Sequence, residues 1–196
     1  MNKMKKKKQI FPSALHPVNI TSLFKKGQRK DYNCYRGICR PTVFRAKLDG
    51  LTYNDNYDTI DENLTDSNVG ARKKRNIRDN LFVLNAITNS VVNVQVQVLD
   101  VEKCFDKMSL HNTTNALYDA GLQNDDLSLL YAEDENAEIS IKTHAGLTQR
   151  VNVKNVVMQG TKWANLKCTT TMDILGKNAY DDETLQYKYW YTWYGG

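Results

Sequence analysis

From Val92 to Val98, valine alternates with Asn93, Gln95 and Gln97, and the run leads through Leu99 straight into Asp100. A period of two puts the valines on one face and the amides on the other, the pattern of a half-buried strand and not of a helix. A chain carrying such a segment must build a sheet and cover one side of it. Helical spacings occur on both sides of the run, so the expected class is α+β, an antiparallel sheet packed on helices.

Further strands are expected at Val18 to Phe24 and Tyr35 to Val43, joined through the turn signal Lys25-Lys26-Gly27, with Pro41 holding the second to an edge or an end. Asp49 to Ser67 is rich in Asn, Asp and Thr without periodicity and reads as mostly loop, with room for a short helix. After Asp79, the spacing of Leu81, Leu84 and Ile87 with Phe82 and Ala86 predicts an amphipathic helix whose apolar stripe belongs in the core. Helices are predicted from Ser109 to Ala120, closed by Gly121, and from Asp125 to Tyr131. Ile139 and Ile141, then Val151 and Val153, alternate around Ala145-Gly146 as a hairpin. Trp163, Leu166, Thr170 and Ile174 predict a last helix up to Gly176.

With 41% apolar residues in 196, the chain can bury one good core. No run approaches the roughly 18 apolar residues of a membrane span. The Lys3 to Lys8 cluster is followed by Gln9, Ile10, Phe11 and Pro12, not by the apolar core of a signal peptide. Four cysteines and three histidines, all scattered, offer neither a disulfide framework nor zinc-ligand spacing. An intracellular protein, cytoplasmic or nuclear, with free thiols and no membrane partner is expected. The first fifty residues hold 13 of the 27 Lys+Arg and only two acids, Asp31 and Asp49, and a second basic cluster runs from Arg72 to Arg78. Such blocks suit a polyanion, and equally a solvated tail and helix face.

A carboxylate at the end of a strand, as Asp100 is, can hold a hard cation while the following loop leaves coordination positions open; it is equally a common turn residue. Asp100-Val101-Glu102-Lys103-Cys104-Phe105-Asp106 closely resembles the first catalytic motif of reverse transcriptases from retrotransposons without long terminal repeats. The resemblance continues in the family's order. Leu23-Phe24-Lys25-Lys26-Gly27 with Tyr35-Arg36-Gly37-Ile38 is similar to the fingers hairpin. Asn68-Val69-Gly70-Ala71-Arg72 with Asp79 resembles the fingers-to-palm segment, and Val157-Met158-Gln159-Gly160 the second palm motif.

The resemblance implies a basic disordered tail at residues 1–14, fingers at 15–90 and a partial palm at 91–196. It implies an RNA-directed DNA polymerase that adds dNTPs to a primer 3′-hydroxyl on an RNA template, with Mg²⁺ or Mn²⁺ as cofactor. Asp100, the catalytic residue, and the Val101 carbonyl would bind metal. Phe105 would lie under the incoming sugar; Lys25, Lys26 and Arg36 would meet the triphosphate; Gln159 and Gly160 would shape the nucleotide pocket. Arg72, Lys73, Lys74, Arg75 and Arg78 would contact nucleic-acid backbone.

The chain departs from the family at Ala71, at Met158 and at Thr161 to Asn165. The family's third motif, a hairpin with two adjacent aspartates, is expected to be missing. Tyr131-Ala132-Glu133-Asp134 precedes the second motif, and Tyr180-Asp181-Asp182 reads as a helix-terminating loop. The expectation is therefore a truncated piece, without the paired aspartates, the thumb and any endonuclease, that does not turn over alone. The alternative is a non-catalytic module, derived from such a polymerase, that grips RNA or an RNA–DNA hybrid.

Overall fold

The computed structural model describes residues 11–90, 96, 98, 100, 101, 103–153 and 157–180. Phe11, inside the stretch expected to be tail, is packed: the ring is buried and stacks on His16 with centroids 5.8 Å apart. Strand β1 (Pro17–Phe24) and β2 (Tyr35–Pro41) form the expected antiparallel hairpin, with Val18 opposite Pro41 and Phe24 opposite Tyr35. The second set, β3 (Glu138–Thr143), β4 (Gly146–Leu147) and β5 (Val151–Asn152), also follows the sequence pattern.

These two sets join into one sheet, ordered β2-β1-β3-β4 with β5 also on β3. The junction is parallel, Val18 beside Ile139 and Ile20 beside Ile141, and unites strands on either side of residue 90. Among the described residues, only the first half of β1 is paired on both sides, so the outer half of the β1–β2 hairpin extends beyond β3.

Helix α1 (Val43–Glu62) corrects the expected loop at Asp49 to Ser67. Thr42 caps it by accepting from the Arg45 amide at 3.3 Å, and its buried face carries Arg45, Asp49, Thr52, Tyr57 and Ile60. That stripe has helical spacing, but its first half is polar, so no apolar period announces it. Arg45 pairs through Nε with Glu133, and its Nη1 reaches the carbonyls of Leu15 and His16 at 3.3 and 3.4 Å.

Helix α2 (Ile77–Ser90) is present, but its stripe is not core. Leu81 and Phe82 are 55% and 74% exposed, Leu84 and Ile87 are half-buried, and the buried residue is Asn80, which donates to the Ser67 carbonyl at 3.1 Å. The valine strand expected at 92–98 lies mostly outside the described residues. Val96 and Val98 are described, belong to no strand and are exposed, so their covered face is not formed by described residues.

Helices α3 (Cys104–Lys107), α4 (Leu110–Asp119), α5 (Asn124–Glu135) and α6 (Ala164–Tyr180) complete the fold. α4 ends where Gly121 turns left-handed at φ 98°. α6 runs past Gly176, where its end was expected; Asp181 and Asp182 lie outside the described residues. The main core is Tyr57, Ile60 and Leu64 of the α1 region, Leu117 and Leu122, Leu127 and Leu130 of α5, and Trp163 and Leu166. A second cluster, Val18, Cys39, Ala137 and Met158, ties the sheet to the turn before α6. No described helix is long and apolar enough to cross a membrane.

Candidate active site

The residues after Asp100 turn sharply. Lys103 adopts the left-handed conformation at φ 52°, and its carbonyl accepts from the amides of Asp106 and Lys107, both at 3.0 Å, which starts α3. Asp100 and Val101 stay exposed. Phe105 is half-buried against the cluster of Met108, Val157, Ala164 and Cys168. Its carbonyl accepts from the Val157 amide at 3.2 Å, a backbone link between the first and second motif segments.

The second motif is in turn fixed to the hairpin. The Gln159 carbonyl accepts from the Cys39 amide at 2.7 Å. Gly160 has φ 102°, and a Cβ there would stand 2.9 Å from the Cys39 carbonyl oxygen and 3.0 Å from the Ile38 side chain. A glycine is required on both counts. A third link joins the tip of the hairpin to the first motif: Lys103 Nζ donates to Asn33 Oδ1 at 3.0 Å, and the Lys25 amide donates to the neighbouring Cys34 carbonyl at 2.8 Å. Lys25 and Lys26 are exposed; Arg36 is half-buried on β2 opposite Leu23. The structure thus gathers the hairpin, the Lys103 turn and the Gln159-Gly160 turn into one region.

A groove of about 380 Å³ opens beside Gly160, lined by Ile38 to Pro41, Ala46, Asp49 and Thr161 to Lys162. Arg40 and Lys162, both exposed, put cations at it. Lys162 Nζ lies 4.8 Å from the centre of the Tyr53 ring and Lys73 Nζ 3.9 Å from that of Tyr57. Sequence reasoning missed this shelf because both tyrosines sit in the stretch read as loop.

The basic cluster does not act as a unit. Arg72 is buried and all five of its N–H groups are used: Nε and Nη2 on the Asp61 carboxylate at 2.7 and 3.2 Å, Nη2 on the Asp61 carbonyl, and Nη1 on the carbonyls of Thr65 and Asn68. Burial pushes the Asp61 carboxyl up, but the bonds and charge of Arg72 prevail and hold it below its ordinary value. Arg72 therefore locks the loop after α1 and is corrected from nucleic-acid ligand to scaffold. Arg75 pairs with Asp66 at 2.6 Å on the surface, while Lys73, Lys74 and Arg78 are exposed.

Glu133 and Asp134, which imitate an aspartate motif in letters, lie buried in α5. Glu133 pairs with Arg45, and Asp134 with Lys167 at 2.5 Å. Asp49 is buried with them and its Oδ1 has no hydrogen-bond partner. Three carboxyls face two cations, and burial pushes the Glu133 carboxyl up to about 7.

As a metal centre the described residues offer Asp100 and the Val101 carbonyl. Among them, no group of three or more His, Cys, Asp or Glu side chains is placed to hold an ion. This donor set does not by itself fit a pair of divalent cations.

No family model matches the sequence, and no curated protein matches it. The fold is similar to that of apo telomerase from Candida tropicalis truncated from its C-terminal domain, with a TM-score of 0.57 and 13% identity. The match covers 90% of this chain and 42% of that one, so the chain spans under half the length of the solved relative. The likeness shows the α+β fold that the chain shares with that telomerase, consistent with fingers and a partial palm.

Proposed function

We propose that this chain is the fingers and partial palm of an RNA-directed DNA polymerase of the kind found in retrotransposons without long terminal repeats. The observation that carries the reading is the convergence of three motif segments, far apart in sequence, through the backbone bonds Val157 to Phe105 and Cys39 to Gln159 and the side-chain bond Lys103 to Asn33. Telomerase-like topology over most of the chain agrees with it.

In this reading Lys25, Lys26 and Arg36 bind the nucleotide's phosphates, and the Phe105 ring underlies its sugar. The Gln159-Gly160 turn shapes the nucleotide pocket and the groove beside it seats the template, with Arg40, Lys73 and Lys162 on its phosphates. Lys74, Arg75 and Arg78 add to the backbone contacts. Asp100 and the Val101 carbonyl are this chain's contribution to a Mg²⁺ or Mn²⁺ site whose remaining carboxylates come from outside the described residues.

A second reading, a nucleic-acid-binding module without turnover, is favoured by the small carboxylate set around Asp100 among the described residues. Primer extension on an RNA template with Mg²⁺ or Mn²⁺, by the 196-residue chain and by Asp100→Ala, separates the two. Extension lost in the variant establishes the polymerase. A folded chain that holds the hybrid but does not extend it lacks a complete carboxylate set and, by itself, acts only by binding.

A further inference from the structure

We infer that Cys104 and Cys168 form a redox-modification site, a thiol pair placed to close into an intramolecular disulfide between the segment after Asp100 and the helix after Gln159-Gly160. The two sulfurs lie 3.3 Å apart. Cys104 starts α3, Cys168 sits in the second turn of α6, and Met108, Val157, Ala164, Phe105 and Met172 enclose the pair in an apolar cluster. A disulfide needs the sulfurs at about 2.05 Å, so each has well under an ångström to move, the scale of a small side-chain rotation.

The two thiols differ in a way that orders the chemistry. Cys104 is half-buried and Cys168 is fully buried. The hydrogen bond from Cys168 pulls the Cys104 thiol below its ordinary value, against burial and the charge of Asp100. Cys39 has the opposite character: it is buried, and its thiol is pushed up to about 11. Cys104 is therefore the nucleophile that a solution oxidant meets, and Cys168 the resolving thiol.

With hydrogen peroxide as oxidant, the Cys104 thiolate attacks one peroxide oxygen, the O–O bond breaks and a sulfenic acid forms, while the hydroxide that leaves takes up the proton the thiol released and becomes water. The Cys168 sulfur then displaces the sulfenic hydroxyl, giving the S–S bond and a second water. Two thiols lose two electrons and two protons, and the peroxide is reduced to two waters. The product tethers α3, and with it the backbone leading from Asp100, to α6. A bond that forms and breaks here would govern whether that segment can shift against the Gln159-Gly160 side of the region. The inference rests on the thiol geometry and holds whichever function is correct.

The test treats the full chain with hydrogen peroxide, alkylates remaining thiols, and digests it without reduction for mass spectrometry. A Cys104–Cys168 linked peptide, two hydrogens lighter than the sum of its parts and lost on reduction, is expected. The same bridge should persist in Cys34→Ser. Oxidised wild type should also melt at a higher temperature than reduced wild type. The proposal is overturned if folded wild type yields Cys104 oxidised to sulfinic acid with Cys168 still a thiol, if Cys34 captures the bridge, or if Cys34 oxidises while no Cys104–Cys168 peptide forms. Because wild type alone decides, a serine variant that fails to fold leaves the result intact.

Discussion

Arg72 shows how a residue's role follows from its donors. A guanidinium whose five N–H groups are all met by Asp61, Thr65 and Asn68 holds the chain after α1 in place. Arg72→Ala removes all five bonds and the ion pair with Asp61, and is expected to cost about 3 kcal/mol or more in urea unfolding. A shift under about 0.5 kcal/mol would return Arg72 to the surface cluster. In sequence, Arg72 looks like its neighbours Lys73 and Lys74, because nothing in a run of cations says which one is buried. The buried carboxyls give a pH dependence. Burial raises Glu133, Asp49 and Asp134, so the folded state holds protons that the unfolded state has released. The Glu133 contribution is full below its unfolded value of 4.5 and is lost as pH climbs through about 7; Asp49 and Asp134, raised from 3.8, act in the same sense. Asp61 and Asp173 are lowered and act in the opposite sense, but only in more acid solution. The urea midpoint is therefore expected to fall between pH 5 and pH 8, and the fall to flatten in Glu133→Gln. A midpoint that rises over that interval would contradict the buried-proton account.

Among the elements, α1 and α2 mark where apolar periodicity informs and where it misleads. α4 and α6 were legible because their buried faces carry Leu117 and Leu166 at helical spacing; α1 was hidden because Arg45, Asp49 and Thr52 occupy the same face. A polar stripe, in which Arg45 pairs with α5 and with the carbonyls before β1, has no hydrophobic signature. α2 has the signature without the burial. Phe82→Ser is accordingly expected to move stability by no more than about 0.5 kcal/mol, whereas Leu117→Ala in α4 should cost about 2–5 kcal/mol. Equal effects in denaturant unfolding would mean that α2 packs into the core after all. The Gln159-Gly160 turn was legible as a motif, but its attachment to β2 was not, since backbone contact leaves no side-chain pattern. Gly160→Ala meets both the left-handed φ and the Cys39 carbonyl and should destabilise by about 1–3 kcal/mol. An unchanged midpoint would show that the turn is not held against the hairpin.

At the scale of the molecule, the hairpin and β3 form one sheet although more than a hundred residues separate β1 from β3 in the chain. The main core lies between α1, α4, α5 and α6, with the sheet joined to it through Met158 and Cys39. Period-two runs reveal strands but not their partners, so the parallel β1–β3 junction could not be read from sequence. That junction brings the basic hairpin to the Lys103 and Gln159-Gly160 turns, and the functional account depends on it. Its most direct test is the affinity of the folded chain for an RNA template annealed to a DNA primer, measured by fluorescence anisotropy across a salt series. Wild type and Asp100→Ala should bind alike with a steep loss of affinity as salt rises. Arg40→Ala, Lys73→Ala and Lys162→Ala combined should weaken binding and reduce the log–log salt slope by about two to three. Binding that ignores salt and the triple substitution, or no binding by a folded chain, would contradict the account.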